Sequence, residues 1–245
     1  MRDDLSELRS EYDDSPLTAT AVGTDPMRAF AAWFDDATNR SAVVEPNACA
    51  LATSTPHGVP SVRMVLLKQV DPARAAFAIY TNLTGRKATE ALATGHASLC
   101  WWWPGEPARQ FRVAGRVEPV DRVRAAEYFA SRPLAARIGA AASEQSRAIA
   151  GRAELDERAA AIDPERIELP DTWGGLWVVA DELELWQGRA GRMHDRITFL
   201  RLGDDDQPRA TAAVAAAGGS ERLTRCGQVV VDPHGTRWMR ARLAP

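Results

Sequence analysis

Three short segments, Ala48–Ser54, Pro60–Val70 and Ala75–Thr81, alternate or run apolar over strand length, and only His57-Gly58 and Asp71-Pro72 mark the turns between them. Connections this short join antiparallel neighbours and leave no room for the helical crossover that a parallel pair needs. The punctuation returns further on. Ala97–Trp103 turns at Pro104-Gly-Glu-Pro107 into Arg109–Val117, and Leu176–Ala180, Glu182–Trp186, Met193–Leu202, Gln228–Asp232 and Arg237–Leu243 follow. Many short strands without regular strand–helix alternation predict a mainly β fold with helices (α+β), an antiparallel β-barrel with helices packed around it.

The helices have their own signals. Asp25 is a good N-cap, Pro26 suits the first helical position, and Met27, Phe30, Ala31, Trp33, Phe34 and Ala37 recur at helical spacing. Arg86–Thr94 reads as a short helix ending at Gly95, and Asp121–Ser131 and Leu134–Ser143 as two helices divided by Pro133. Gln145–Ala161 reads as a third, with Glu154 and Arg158 spaced for an exposed ion pair. Pro170 and Gly174-Gly175 end this block. Residues 203–222 are acidic and then rich in Ala and Gly, the composition of a loose excursion. The length of 245 residues suits one domain over residues 24–245, preceded by a mobile arm over 1–23 that carries Arg9 and Tyr12.

Net charge is −3 with the two signs interspersed, so no broad basic face advertises nucleic acid or anionic lipid. No apolar run reaches a membrane span and the first residues lack the apolar centre of a signal peptide, so the expectation is a soluble, cytoplasmic protein. Cys49, Cys100 and Cys226 are scattered, and His57, His96 and His234 sit in turn-like contexts without ligand spacing, so neither a disulfide framework nor a metal site is expected. In Trp101-Trp102-Trp103 the middle ring faces away from its neighbours, and core packing is favoured over a stacking platform.

Candidate chemistry lies in clusters of anion-binding side chains. Among thirty basic residues only Lys68 and Lys87 are lysines, and both fall in the stretch from Arg63 to Lys87. That clustering reads either as a phosphate site or as a chance of an Arg-rich composition. On an extended backbone Arg192, His194 and Arg196 share one face, which suits capture of an anion or ring; a salt-bridged exposed strand is the other reading. Tyr128 and Arg132, at i and i+4 on a helix end, can converge on one phosphate. Gln145-Ser146, before a helical run, offers donors to an anion or ordinary capping. GxSxG, Walker, GxGxxG and HExxH patterns are absent, which removes the common hydrolase, NTPase, Rossmann and zincin readings.

Taken in order, Arg63-x-Val-Leu-Leu-Lys68, Tyr80-Thr81-Asn82 with Arg86-Lys87, Arg109-Gln110, Tyr128-Phe-x-Ser-Arg-Pro133, Ile138-Gly139 with Gln145-Ser146, Trp173-Gly-Gly175, Trp186-Gln-Gly with Arg192-Met-His-Asp-Arg196, and Arg242-Leu-Ala-Pro245 form a specific set. In this set the chain resembles the pyridoxamine 5′-phosphate oxidase family, FMN-dependent enzymes that make pyridoxal 5′-phosphate. The resemblance implies an FMN-binding split β-barrel of Greek-key type, assembled as a homodimer with FMN in two symmetric clefts at the interface. It implies that Arg63, Arg86 and Lys87 neutralise the flavin phosphate with Gln145 and Ser146. Met64, Val65, Leu66, Leu67, Lys68, Tyr80, Thr81, Gln110, Trp186 and Arg196 would surround the rest of the cofactor.

For substrate, the resemblance puts Lys68, Tyr128 and Arg132 at the phosphate, and Arg192, Met193 and His194 over the pyridine ring, with Arg192 and His194 as the catalytic pair. Arg9 and Tyr12 correspond to a lid, and Glu45 to an acidic residue near the site. The implied reaction moves a hydride from C4′ of a phosphorylated B6 vitamer to flavin N5, with dioxygen as final acceptor giving hydrogen peroxide, and involves no metal. Three departures stand out: Ala136 replaces a common serine, Ala141 replaces a usual tryptophan, and residues 203–236 form an insertion. They motivate two alternatives, a paralogue oxidising another small molecule of secondary metabolism such as a phenazine-type compound, and a non-catalytic flavin- or pyridoxal-phosphate-binding protein.

Overall fold

The computed structural model describes residues 11–245; the proposed lid residue Arg9 lies outside them. In chain order the elements are α1 (Ala19–Val22), α2 (Pro26–Thr38), β1 (Ala48–Ser54), β2 (Pro60–Leu66), β3 (Gln69–Asp71), β4 (Ala76–Asn82) and α3 (Arg86–Thr94). Next come β5 (His96–Trp103), β6 (Arg109–Pro119), α4 (Arg122–Ser131), α5 (Leu134–Ala142), α6 (Arg152–Ala160) and β7 (Trp173–Gln187). A 3-10 turn at Ala190–Arg192 leads into β8 (Asp195–Arg201), α7 (Thr211–Ala216), α8 (Ser220–Cys226), β9 (Gln228–Val231) and β10 (Arg237–Leu243).

Ten strands form one antiparallel sheet in the order β2-β1-β5-β6-β7-β8-β10-β9, with β4 bonded to β7 and carrying β3. The expected split barrel is therefore not formed, because the path has two free ends, β2 and β9, and branches instead of closing. The branch has a simple cause. β7 is a single strand of 15 residues, where two strands with a break were expected. It pairs with β4 over Trp173–Val179 and with β8 over Glu182–Gln187, so one long strand serves two partners in succession. Gly174 and Gly175 let β4 and its neighbours come close: a Cβ there would lie 2.8 Å from Leu83 Cδ1 and 2.7 Å from Val120 Cγ2.

The chain divides into two compact units, one of residues up to Asn47 with Cys100–Val113 and Asp181–Pro245, the other of Ala48–Leu99 with Ala114–Ala180. In the first, Asp25 caps α2 by accepting from the N–H groups of Met27 and Arg28. The buried face of α2 puts Phe30 against Trp101, Trp103 and Phe111 at centroid distances of 5.4, 6.2 and 4.9 Å. Such ring pairs contribute roughly 0.5–1.5 kcal/mol each beyond their burial. Trp102, on the opposite face of β5, is exposed, as alternation requires.

The expected loose stretch over 203–222 instead holds α7 and part of α8. Their Val214 and Leu223 pack with Leu200, Leu202 and Met239 of the sheet, and that apolar contact is what orders an Ala-rich segment. In the second unit, Ala76, Ala78, Val120, Trp177 and Val179 form a cluster against which Tyr80 packs. The expected helix over 145–161 is shorter, α6 alone, because Ser146 adopts a left-handed backbone with φ 74° that no helix tolerates. No described helix is long and apolar enough to cross a membrane, and no group of three potential metal ligands occurs among the described residues.

Candidate active site

In the second unit the N-cap of α3 is Gly85, which has no side chain to offer the helix end, and a Cβ there would lie 3.0 Å from Gln145 Oε1. Unpaired N–H groups and the helix dipole favour an anion at such an end. Cations gather around it. The ammonium of Lys87 donates to Gln145 Oε1 at 2.6 Å and to Thr81 Oγ1 at 3.2 Å. Burial, and secondarily the charge of Arg63, push its pKa down. The backbone N–H of Arg86 donates to Ser146 Oγ at 3.1 Å, which explains why the strained Ser146 is held where it is.

Arg63 and Arg86 meet through Glu90, a residue that sequence reasoning did not single out. Arg86 Nε donates to Glu90 Oε1 at 2.7 Å, and Arg63 Nη2 lies 3.4 Å from Oε2. Glu90 is buried, and bonds from the Ser61 and Thr53 hydroxyls, then from Arg86, draw its pKa down to about 2. Three cations against one carboxylate leave two positive charges uncompensated, the complement of a phosphate monoester dianion.

Next to this cradle lies a cavity of about 260 Å³ lined by Met64, Val65, Leu66, Lys68, Lys87 and Gln145 together with Tyr80, Thr81, Tyr128, Arg132 and Trp173. Leu67 does not join them; it is buried in the core. Tyr80, Tyr128 and Trp173 stack, with centroids 4.1 Å apart for the tyrosines and 5.4 Å for Tyr80 and Trp173. The guanidinium of Arg132 sits 5.0 Å from the Trp173 ring, and its Nη1 is buried without a hydrogen-bond partner. Arg132 follows the last residue of α4 in an extended conformation, so it shares the cavity with Tyr128 without being helical. Burial raises the pKa of Tyr80 to about 12 and raises that of Tyr128, so both hydroxyls stay protonated; that of Tyr80 donates to Gln69 Oε1 at 3.0 Å, which leaves Tyr128 as the donor for a ligand. Ala136 lines an adjoining cavity of about 340 Å³ that also contacts Arg132.

The first unit carries the other residues singled out. Arg192, His194 and Arg196 do not share a strand face, as an extended backbone had implied. Gly191 and Arg192 are both left-handed, at φ 62° and 61°, in the 3-10 turn before β8, and only Arg196 lies on the strand. Alternating charges mimicked a strand where a turn was needed. His194 Nδ1 accepts from the Arg189 N–H at 3.1 Å, so the neutral ring carries its proton on Nε2. Burial, then the charge of Arg192, lower its pKa.

His194 lies edge-on to Tyr12 at 5.6 Å and tilted to Trp186 at 4.7 Å; Tyr12 is also edge-on to Trp186. Arg196 is fully engaged: Nε and Nη2 donate to the buried Glu184 and Nη1 to the Ala244 carbonyl. Gln110 is half-buried on β6, and Met193 and Glu45 are exposed.

An antiparallel sheet that gathers three cations at a helix N-terminus without a glycine-rich loop, beside a wall of stacked rings, suits a protein that holds a phosphorylated aromatic cofactor or substrate. Family models settle which one. Residues 36–169 match the model for pyridoxamine 5′-phosphate oxidase, and residues 173–245 the model for the pyridoxine 5′-phosphate oxidase C-terminal dimerisation region.

The chain is 42% identical over 205 residues to a pyridoxine/pyridoxamine 5′-phosphate oxidase of Trichormus variabilis, covering 82% of this chain and 94% of that one. It is 42% identical over 203 residues to the corresponding oxidase of Salinibacter ruber, covering 80% and 92%. Among solved structures, PhzG from Burkholderia lata 383, in complex with tetrahydrophenazine-1-carboxylic acid, superposes with a TM-score of 0.74 at 22% identity over 95% of this chain and 99% of that one, which shows the fold. The chain belongs to the pyridoxamine 5′-phosphate oxidase family, FMN-dependent oxidases acting on B6 vitamers, and it carries that family's dimerisation region.

Proposed function

We propose that the chain oxidises pyridoxamine 5′-phosphate or pyridoxine 5′-phosphate to pyridoxal 5′-phosphate, and that Lys87, Arg63 and Arg86 hold the phosphate of FMN at the N-terminus of α3. The observation that carries this reading is the uncompensated pair of positive charges at a helix end whose N-cap is a glycine, where Lys87 and Arg63 repel each other until an anion arrives. The donor set fits the cofactor: Thr81, Gln145 and Ser146 add neutral polar groups around the same point. Each hydrogen bond to a charged partner contributes roughly 1.5–3 kcal/mol, so several retain a non-covalent cofactor.

FMN held by these residues would supply the two-electron chemistry of the oxidation at C4′, with dioxygen as the final acceptor and hydrogen peroxide as its product. The chain's own residues bind and orient. Lys68, Tyr128 and Arg132 take the substrate phosphate in the cavity lined by Tyr80 and Trp173, the unpartnered Nη1 of Arg132 being a donor in want of an acceptor. Arg192 and the Nε2–H of His194 steer the pyridine ring and offset charge as it changes, and Tyr12 closes over His194 and Trp186. In the proposed homodimer the cofactor lies at the subunit interface. The test is aerobic formation of pyridoxal 5′-phosphate with stoichiometric peroxide; a flavin-loaded protein that turns over neither substrate overturns the reading.

A further inference from the structure

Glu90 does more than neutralise a helix-face neighbour. Arg63 Nη1 donates to Thr53 Oγ1 at 2.6 Å, and Nη2 to Ser61 Oγ at 2.6 Å. Each hydroxyl has a single proton, and both give it to Glu90 Oε2, at 2.6 Å from Thr53 and closely from Ser61. Both terminal nitrogens of Arg63 thus meet hydroxyls whose direction the carboxylate sets, and Nη1 also donates to the Leu51 carbonyl at 3.2 Å. Its second oxygen fixes Arg86 by Nε, and no bond among the described residues takes the terminal nitrogens of Arg86. One carboxylate on α3 therefore orients an arginine of β2 and an arginine of its own helix, with Thr53 of β1 and Ser61 of β2 as relays.

We infer that Glu90 is a positioning residue that tunes the cradle for the phosphate of the flavin, an inference resting on the proposed location of that phosphate. Two consequences of its chemistry make this specific. A carboxylate accepts only, so it forces both hydroxyls to turn their lone pairs to Arg63; an amide at the same place brings N–H donors that compete for those lone pairs. Its charge also leaves the cradle with two net positive charges instead of three, which matches a monoester dianion.

The test uses the full-length protein stripped of flavin and titrated separately with FMN and with riboflavin, which lacks the phosphate. The readout is the ratio of the two dissociation constants. Glu90→Gln is expected to lower the preference for FMN about tenfold while riboflavin affinity stays within about twofold, the loss of one charge-assisted bond. Ser61→Ala, which removes one relay without touching charge, is expected to lower it about threefold, and decides the matter alone if Glu90→Gln does not fold. An unchanged ratio in these variants, or a raised preference for FMN such as the added positive charge alone would give, overturns the inference. Arg63→Ala and Lys87→Ala separate the layers: if they also leave the ratio unchanged, the phosphate is not held there, and the proposed cradle falls along with the role of Glu90.

Discussion

The backbone N–H of Arg189 donates to Nδ1 of His194 at 3.1 Å, and this bond fixes which ring nitrogen is free to meet a substrate. Protonating His194 puts a second N–H where Nδ1 now accepts, and burial with Arg192 nearby opposes the charge. The folded pKa is thus below the ordinary 6.5, so the unfolded chain takes up the proton more readily, and this contribution to stability is lost as pH falls below about 6.5. In ¹⁵N-labelled protein the ring is expected to show the Nε2–H neutral tautomer through neutral pH and to titrate below 6.5. A Nδ1–H tautomer, or a raised pKa, contradicts the assignment.

Glu90 gives the acid limb. Its folded pKa of about 2 lies below the ordinary 4.5, so its stabilisation is complete above 4.5 and drains away as pH falls towards 2. Between pH 5 and pH 3 the thermal midpoint of the wild type is expected to drop further than that of Glu90→Gln. Parallel curves from calorimetry argue that Glu90 is not the ionised acceptor described here.

Arg132 has a buried, unpartnered Nη1 beside Tyr128 and Trp173. Arg132→Ala is expected to raise KM for pyridoxamine 5′-phosphate roughly ten- to hundredfold, with little change in kcat. Unphosphorylated pyridoxamine is the control, and its kinetics should not respond. Equal losses on both substrates place Arg132 in the frame of the cavity and away from the phosphate.

Gly188 lies against the arm, and a Cβ there would meet Tyr12 Cγ at 2.7 Å. Gly188→Ala is therefore expected to push the Tyr12 ring off Trp186 and His194 and to raise KM by up to roughly tenfold, the worth of two edge contacts. Tyr12→Ala should do the same, and the double variant should be no worse than either single one. Additive losses in steady-state kinetics show that the glycine acts elsewhere.

How much of this was legible follows from what each feature depends on. Strand and helix positions were readable because alternation and capping are local: Asp25-Pro26 opens α2, and Gly95, left-handed at φ 71°, closes α3. The branch of the sheet was not, because one strand serving β4 and then β8 is a matter of pairing that no local pattern encodes. Glu90 was not singled out, because its value depends on Thr53 and Ser61, and the register of β1 on β2 is what sets those two opposite each other. Motif likeness nominated Arg192, Met193 and His194 as a group; alternation alone had misread their backbone, since a left-handed Gly191-Arg192 pair looks like strand when only charge is counted.

Asp195, buried at the start of β8, accepts from the Leu17 N–H and from Arg189 and also holds Arg242 near the C-terminus. Positions 17, 189 and 242 lie far apart in the chain, yet they share one acceptor with few lone pairs to divide. One carboxylate therefore couples three distant points of the chain. Loss of the arginine at 242 or 189 leaves surplus negative charge on Asp195 that the other must absorb, so a change near the far end of the chain is felt by the segment at Leu17 that follows Tyr12.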